Sequence, residues 1–234
     1  MSEFYKSIVK YYDNIFIPSN QVEFLANSCE GYKILDIAAA TGAVANGLKA
    51  MGYDIKAIDL EDEMVEIAKR RDLDAEVMNM MDIDSIKEKF DLVYCIGNSI
   101  PHLDNLDQIR DFLKKVRKII DRGKIVIQWI NFEKFLINKS EYLGNLPTIE
   151  NENVKFTRKY YRSGDKIRFN TILEADGERI ENNELLYPLT KGDMIRILEE
   201  LGYKDIEVFG GFDKSEFNII KSNPVVIRAK YESI

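Results

Sequence analysis

Two aspartates, one histidine and a run of small residues are the positions in this chain that could do chemistry together. Asp36 stands at the end of the apolar run KILDI (33–37) and is followed by Ala38-Ala39-Ala40-Thr41-Gly42. Asp59 ends a second apolar run, DIKAID (54–59), 23 residues further on. A strand, a turn of small residues, a helix and a distal acid suit an adenosine-containing cofactor. The turn lets the backbone approach the ligand, and the acid accepts the two ribose hydroxyls. His102, the single histidine, follows Asn98 within CIGNSIPHL (95–103), just past another apolar run. Neither Cys29 nor Cys95 has metal-ligand spacing to that histidine, so no metal is expected.

The elements that must hold these groups follow from periodicity. Strands are expected at 33–37, 54–59, 75–79, 90–97 and 124–130, with helices at 43–51 and 61–71 between them. Leu106, Ile109, Phe112, Leu113, Val116, Ile119 and Ile120 keep the spacing of one helical face, which predicts a long helix over 105–120. Regular alternation of apolar strands and helices predicts a parallel sheet covered on both faces. The pattern breaks after residue 134. Three strand-like runs at 154–161, 166–173 and 179–187 are joined by Ser163-Gly164-Asp165 and Asp176-Gly177, the mark of an antiparallel meander. A Thr190-capped helix to 202 and strands at 204–211 and 223–231 then resume the first pattern. The fold class expected is therefore α/β: a Rossmann-like, mostly parallel seven-stranded sheet with an inserted antiparallel meander. The division expected is a cofactor-binding core with an N-terminal arm (1–134), an insertion that shields the substrate (135–189) and a C-terminal return to the core sheet (190–234).

The alanines narrow the cofactor. A dinucleotide loop needs glycine so that backbone N–H groups can close on a pyrophosphate. S-adenosylmethionine has no phosphate; it carries a sulfonium, an ammonium and a carboxylate. It tolerates a loop that is small without being all glycine, and Asp36 suits its positive centres better than it suits a pyrophosphate.

On these residues the sequence resembles the class I S-adenosylmethionine-dependent methyltransferases. ILDIAAATG is similar to their first motif, an acid followed by G-x-G-x-G, and implicates Asp36, Ala38, Ala39, Ala40 and Gly42 in cofactor binding. AIDLEDEMVEIAKRR resembles the second motif, with Asp59 on the ribose and Leu60 and Met64 against the adenosine. MNMMDI places Asn79 and Met80 where the family meets adenine. FDLVYCIGNSIPHL resembles the G-N-S-x-x-H-L segment of the glycine and sarcosine N-methyltransferase branch. That likeness assigns Ile96 and Gly97 to the cofactor, and Asn98 and His102 to the acceptor. VIQWINFEKF and the N-terminal FYKSIVKYYDNIF are also similar to that branch, the latter to an arm over the cofactor with Tyr5 and Tyr12 at its amino-acid end.

Two departures stand out. Ala38 and Ala40 replace motif glycines, and Ile130 stands where the glycine-methylating enzymes hold the substrate carboxylate with an arginine. Glycine is therefore not the expected acceptor. The reading is a small-molecule methyltransferase acting on an amine by in-line transfer. The alternatives are a non-catalytic S-adenosylmethionine-binding module and an NAD-dependent oxidoreductase; the latter should show G-x-G-x-x-G where AAATGAVA stands. A formal net charge of −7 argues against nucleic acid and anionic membrane as partners. Two cysteines and no signal-like apolar stretch suggest a cytoplasmic protein. The sequence excludes neither a monomer nor a homo-oligomer.

Overall fold

A computed structural model describes residues 8–137 and 139–233. Seven strands form one sheet: β1 (Lys33–Ile37), β2 (Asp54–Asp59), β3 (Asp74–Val77), β4 (Leu92–Cys95), β5 (Arg122–Ile130), β10 (Lys204–Phe209) and β11 (Pro224–Glu232). Their spatial order is β10-β11-β5-β4-β1-β2-β3, with β11 antiparallel to both of its neighbours and β5, β4, β1, β2 and β3 joined by parallel pairs. β1 and β2 begin and end where their apolar runs do. β3 and β4 are shorter than expected: beyond β3 Asn79 caps a 3-10 turn, and beyond β4 Ile96 and Gly97 enter a loop that lines the cavity described below.

Alternation along the buried strands divides the core into two layers. Ile34, Leu92, Tyr94 and Val126 face helices α2 (Gln21–Ala26), α3 (Ala43–Ala50) and α4 (Asp62–Arg70), meeting Phe24, Leu48 and Ala68. Leu35, Val93, Ile125 and Ile127 face the opposite way. They join α5 (Leu106–Lys118) through Ile109, Phe112, Leu113 and Val116, and α7 (Lys191–Glu200) through Met194, Ile197 and Leu198. Asn105 and Thr190 cap α5 and α7, accepting from the backbone of Gln108 and Asp193. These caps satisfy donors that a helix start leaves orphaned.

The second sheet is antiparallel, in the order β6-β7-β8-β9: β6 (Tyr142–Glu150), β7 (Val154–Ser163), β8 (Lys166–Ala175) and β9 (Glu178–Leu186). Periodicity misses β6, since Gly144 and Pro147 both read as strand breakers. The strand survives because it lies at an edge, where a proline needs no ladder partner, and its register shifts between Leu146 and Ile149. Val154, Phe156, Tyr160, Phe169 and Leu173 pack on the layer that holds α5 and α7, so the two sheets share one core.

The arm reaches both sheets. Short helix α1 (Tyr12–Ile15) carries Asp13, which accepts from Thr41 Oγ1 at 2.6 Å and pairs with Arg71. Asp176, in the β8–β9 turn, accepts from Tyr11 and Lys10, while Phe16 meets the edge of Phe156 with ring centroids 5.8 Å apart. Helix α6 (Phe132–Leu136) leads from β5 into the second sheet, Phe135 stacking on Tyr160.

Close approach of β5 to the β4 entry gives a test of this packing. A Cβ on Gly123 would sit 2.4 Å from the Asp91 carbonyl oxygen, a backbone atom unable to swing aside. Gly123→Ala is expected to lose about 2 kcal/mol of stability, read as a lower urea midpoint.

Candidate active site

The chain runs β1, β2, β3 outward in one direction and then returns to start β4 on the other side of β1. Loops leaving adjacent strands at such a reversal diverge and open a crevice beyond their carboxyl ends. A cavity of about 330 Å³ occupies that place. Its floor is Asp36, Ala38, Ala39, Ile96, Gly97 and Asn98; the arm contributes Tyr12, Phe16 and Gln21; the second sheet contributes Leu146, Arg158, Tyr160 and Phe169.

The loop after β1 keeps a glycine backbone without the glycines. Ala38 and Ala40 have φ of 59° and 49°, and Gly42 has φ of 72°. Left-handed alanine costs roughly 1–2 kcal/mol, so contacts must hold it there. Asp59 supplies them. One carboxylate oxygen accepts from the Ala40 N–H at 2.7 Å and the other from the Glu61 N–H at 2.9 Å. Ala39 donates to the Ile58 carbonyl, and Gly42 to that of Ala39. Gly42 is the position that alanine could not fill, because an added Cβ would lie 2.4 Å from Leu73 and 3.1 Å from Ala68 on the neighbouring helix. With the Ala39, Ala40 and Gly42 amides donated inside the protein, the loop has few left for a pyrophosphate.

Asp36 lies beneath this loop, 2% exposed, accepting from the Tyr94 hydroxyl at 2.6 Å. Among the described residues no cation pairs with it. Burial, opposed by the Tyr94 bond and reinforced by the charge of Asp59, pushes its carboxyl up to about 8. Burial and the same two aspartates raise the Tyr12 phenol as well, which places the arm's tyrosine beside them. The donor set is thus a pair of acids awaiting positive charge and hydroxyls. It fits the ammonium, sulfonium and ribose of S-adenosylmethionine.

Across the cavity, Gly97 and Asn98 also take left-handed backbone, with φ of 81° and 70°. Gly97 donates to Gln128 at 2.8 Å, and the Asn98 side-chain oxygen accepts from the Ile130 N–H at 2.9 Å. Asn98 therefore spends its carbonyl on holding β5, leaving only its amide for a ligand. His102 ends a short 3-10 turn (Ile100–His102) and lines the cavity. Burial lowers its pKa below the usual histidine value, against the pull of Glu184, so the ring is neutral near pH 7 and can accept a proton.

The other sequence-singled residues are distributed more widely. Ala40, Gly42 and Asp59 shape the loop without lining the cavity. Leu60 is half exposed, Met64 is buried, and neither lines it. Asn79 caps the turn Met80–Ser85 by accepting from the Met81 N–H, and Met80 rests on the core; both lie beyond the cavity wall. Tyr5 lies outside the described residues. Trp129 and Asn131, at and just beyond the end of β5, are turned away. Alternation gives the cavity to Gln128 and Ile130, while the Trp129 indole donates to Leu189 and Asn131 donates to Ile219 and Ser222. Gln128 is the cavity-lining position that sequence reading passed over; a polar side chain inside an apolar strand was its signal.

A family model described as a methyltransferase domain matches residues 34–123, which contain the loop, both aspartates and the Asn98–His102 turn. The chain is an S-adenosylmethionine-dependent methyltransferase. It is 25% identical over 220 residues to a glycine/sarcosine N-methyltransferase of Aphanothece halophytica, covering 84% of this chain and 77% of that one. In fold it is similar to an S-adenosylmethionine-dependent methyltransferase of Clostridium acetobutylicum, at 15% identity and a TM-score of 0.80 over 99% of this chain and 100% of the other. A sugar N-methyltransferase of Streptoalloteichus aligns over 100% of this chain and 94% of its own, with a TM-score of 0.70 and 17% identity. The methyltransferase thus keeps the architecture of these proteins around a loop in which alanine carries a left-handed turn.

Two outcomes follow for the ligand-free methyltransferase. Ala38→Gly and Ala40→Gly should each gain up to about 1 kcal/mol of stability, whereas Gly42→Ala should lose about 2 kcal/mol, all read from urea midpoints. Asp36 keeps its proton in the fold up to about pH 8 but releases it near 3.8 when unfolded. Its contribution is therefore fully present below that lower value and lost as pH rises toward 8. Asp36→Asn should melt higher than wild type at pH 8, match it near pH 4, and lose the melting-temperature rise with S-adenosylmethionine.

Proposed function

We propose that this methyltransferase transfers a methyl group to the nitrogen of a small amine, with Asp36, Tyr12, the 38–42 loop and Asp59 serving the cofactor and His102 and the Asn98 amide facing the acceptor. The observation that carries the reading is Asp36: a carboxyl buried at the strand reversal with no cation paired to it among the described residues, lining a cavity that also holds a neutral imidazole. When bound, S-adenosylmethionine supplies a methyl group activated by its sulfonium. The protein's share is arrangement. Tyr160, Phe169 and Leu146 of the second sheet keep water out, and the apolar wall disfavours the protonated amine. His102 takes the proton that an ammonium acceptor must shed, and alignment across the cavity supplies most of the remaining acceleration. Residues 135–189 act as the shield in this scheme. The names of the relatives, which methylate glycine, sarcosine and a sugar nitrogen, support a small acceptor. Two free cysteines, Cys29 and Cys95, and a formal net charge of −7 support a cytoplasmic enzyme with no nucleic-acid partner. Among the described residues no helix is long and apolar enough to cross a membrane.

The test has two stages. S-adenosylmethionine, and not NAD, should raise the melting temperature, since a ligand that binds only the folded state must do so. A panel of primary and secondary amines should then release S-adenosylhomocysteine. His102→Gln should slow that release by about a hundredfold at neutral pH while keeping the cofactor-induced rise. Binding without turnover on any amine would identify a sensor instead.

A further inference from the structure

The cavity holds one charged group that neither the cofactor reading nor proton transfer employs. Arg158 comes from the middle of β7, paired in register with Thr171 of β8, and its side chain lines the cavity. One terminal nitrogen donates to the Pro147 carbonyl at 2.8 Å, and the guanidinium carbon lies 5.9 Å from the Phe156 ring centroid. The Nε is sealed from solvent and has no hydrogen-bond partner. A buried N–H without an acceptor is uncommon in a finished site.

Its place sets Arg158 apart: among the described residues it is the arginine that lines the cavity, and it does so without an ion pair. In this acidic chain Arg71, Arg110, Arg179, Arg196 and Arg228 each find a carboxylate, whereas among the described residues none pairs with Arg158. The guanidinium is partly withdrawn from water, and burial lowers its pKa, yet an arginine stays protonated. The nearby wall is apolar: Ile130, Leu146, Tyr160 and Phe169. Asp36, the carboxyl of the same cavity, bonds Tyr94 and belongs to the cofactor's positive end in the reading above. A cation so placed in an apolar wall, with one of its terminal nitrogens given to Pro147, is a receptor for an oxyanion, which guanidinium forks bind with paired hydrogen bonds.

We propose that Arg158 holds an anionic group of the methyl acceptor, so that the substrates are small amines bearing a carboxylate or a phosphate. This rests on the amine-methylating function proposed above. It also separates the enzyme from glycine chemistry without making it indifferent to charge. The cation stands on the second sheet and not at position 130 of β5, so the spacing from anion to nitrogen, and with it the length of the acceptor, is set by the inserted meander.

The experiment offers amines in charge-differing pairs: glycine with glycinamide, β-alanine with β-alaninamide, 4-aminobutyrate with its amide, and aminoethyl phosphate with ethanolamine. S-adenosylhomocysteine release is followed for wild type, Arg158→Gln, Arg158→Lys and, as a control outside the cavity, Arg168→Gln. Wild type should prefer the anionic member of at least one pair by about tenfold or more in kcat/KM. Arg158→Gln should erase that preference through KM, Arg158→Lys should retain part of it, and Arg168→Gln should keep it. The melting-temperature rise with S-adenosylhomocysteine should stay intact in every variant, which also shows that each is folded. Equal rates on both members of every pair in wild type would overturn the proposal, as would an Arg158→Gln variant that keeps the preference. Loss of the S-adenosylhomocysteine response in Arg158→Gln would assign the arginine to the cofactor's carboxylate and overturn it too. If no amine turns over, the amine reading fails separately. Acetate and inorganic phosphate, added with S-adenosylhomocysteine, then decide: further stabilisation of wild type but not of Arg158→Gln supports an anion receptor, and its absence in wild type overturns one.

Discussion

Two alanines held in left-handed backbone at the end of β1 need a restraint, and the Asp59 carboxylate is that restraint. L-residues leave such conformations unless hydrogen bonds and packing over-determine them. Asp59 grips the Ala40 and Glu61 amides at once, tying the end of β2 to the loop after β1. Everything around the cavity inherits its position from this clamp. The turn sets where α3 begins, α3 lies against α4 through the gap that Gly42 leaves, and Thr41 offers its hydroxyl to Asp13 of the arm. An acid that motif reading assigns to a ribose is thus also the keystone of the protein loop, and the two roles are compatible because a carboxylate has lone pairs to spare.

The second constraint is electrostatic. The cavity is lined by Asp36 from the first sheet, with Asp59 behind its loop, by Arg158 from the second sheet and by a neutral histidine. Among the described residues neither Asp36 nor Arg158 has an ion-pair partner. Asp36 answers by holding its proton and Arg158 by leaving an N–H unmatched. Such frustration is tolerated where a ligand relieves it, and it is concentrated at the strand reversal, where the fold is open.

Legibility followed range. β1, β2, α5 and the cap at Thr190 are written in spacing over a few residues, and the structure matches them closely. β6 was hidden because its stability comes from pairing with β7 and from its edge position, neither of which Gly144 and Pro147 reveal locally. Trp129 and Asn131 show the same limit on a smaller scale. Their strand was evident, but which of its two faces meets the cavity depends on what packs on each side.

By itself the sequence determined the alternation of strands and helices, the small-residue turn, the acids at the ends of β1 and β2, and the Asn98–His102 segment, because each is encoded by neighbours close along the chain. Tertiary structure alone decided what they surround. Gln128 reaches Gly97 across 31 residues, Asp13 reaches Arg71 across 58, and Arg158 enters the cavity from a different sheet. Those juxtapositions depend on the crossover that returns β4 to the side of β1 and on the docking of the meander over it. Both are set by the burial of two apolar faces against each other, a property of the whole chain that no local pattern contains.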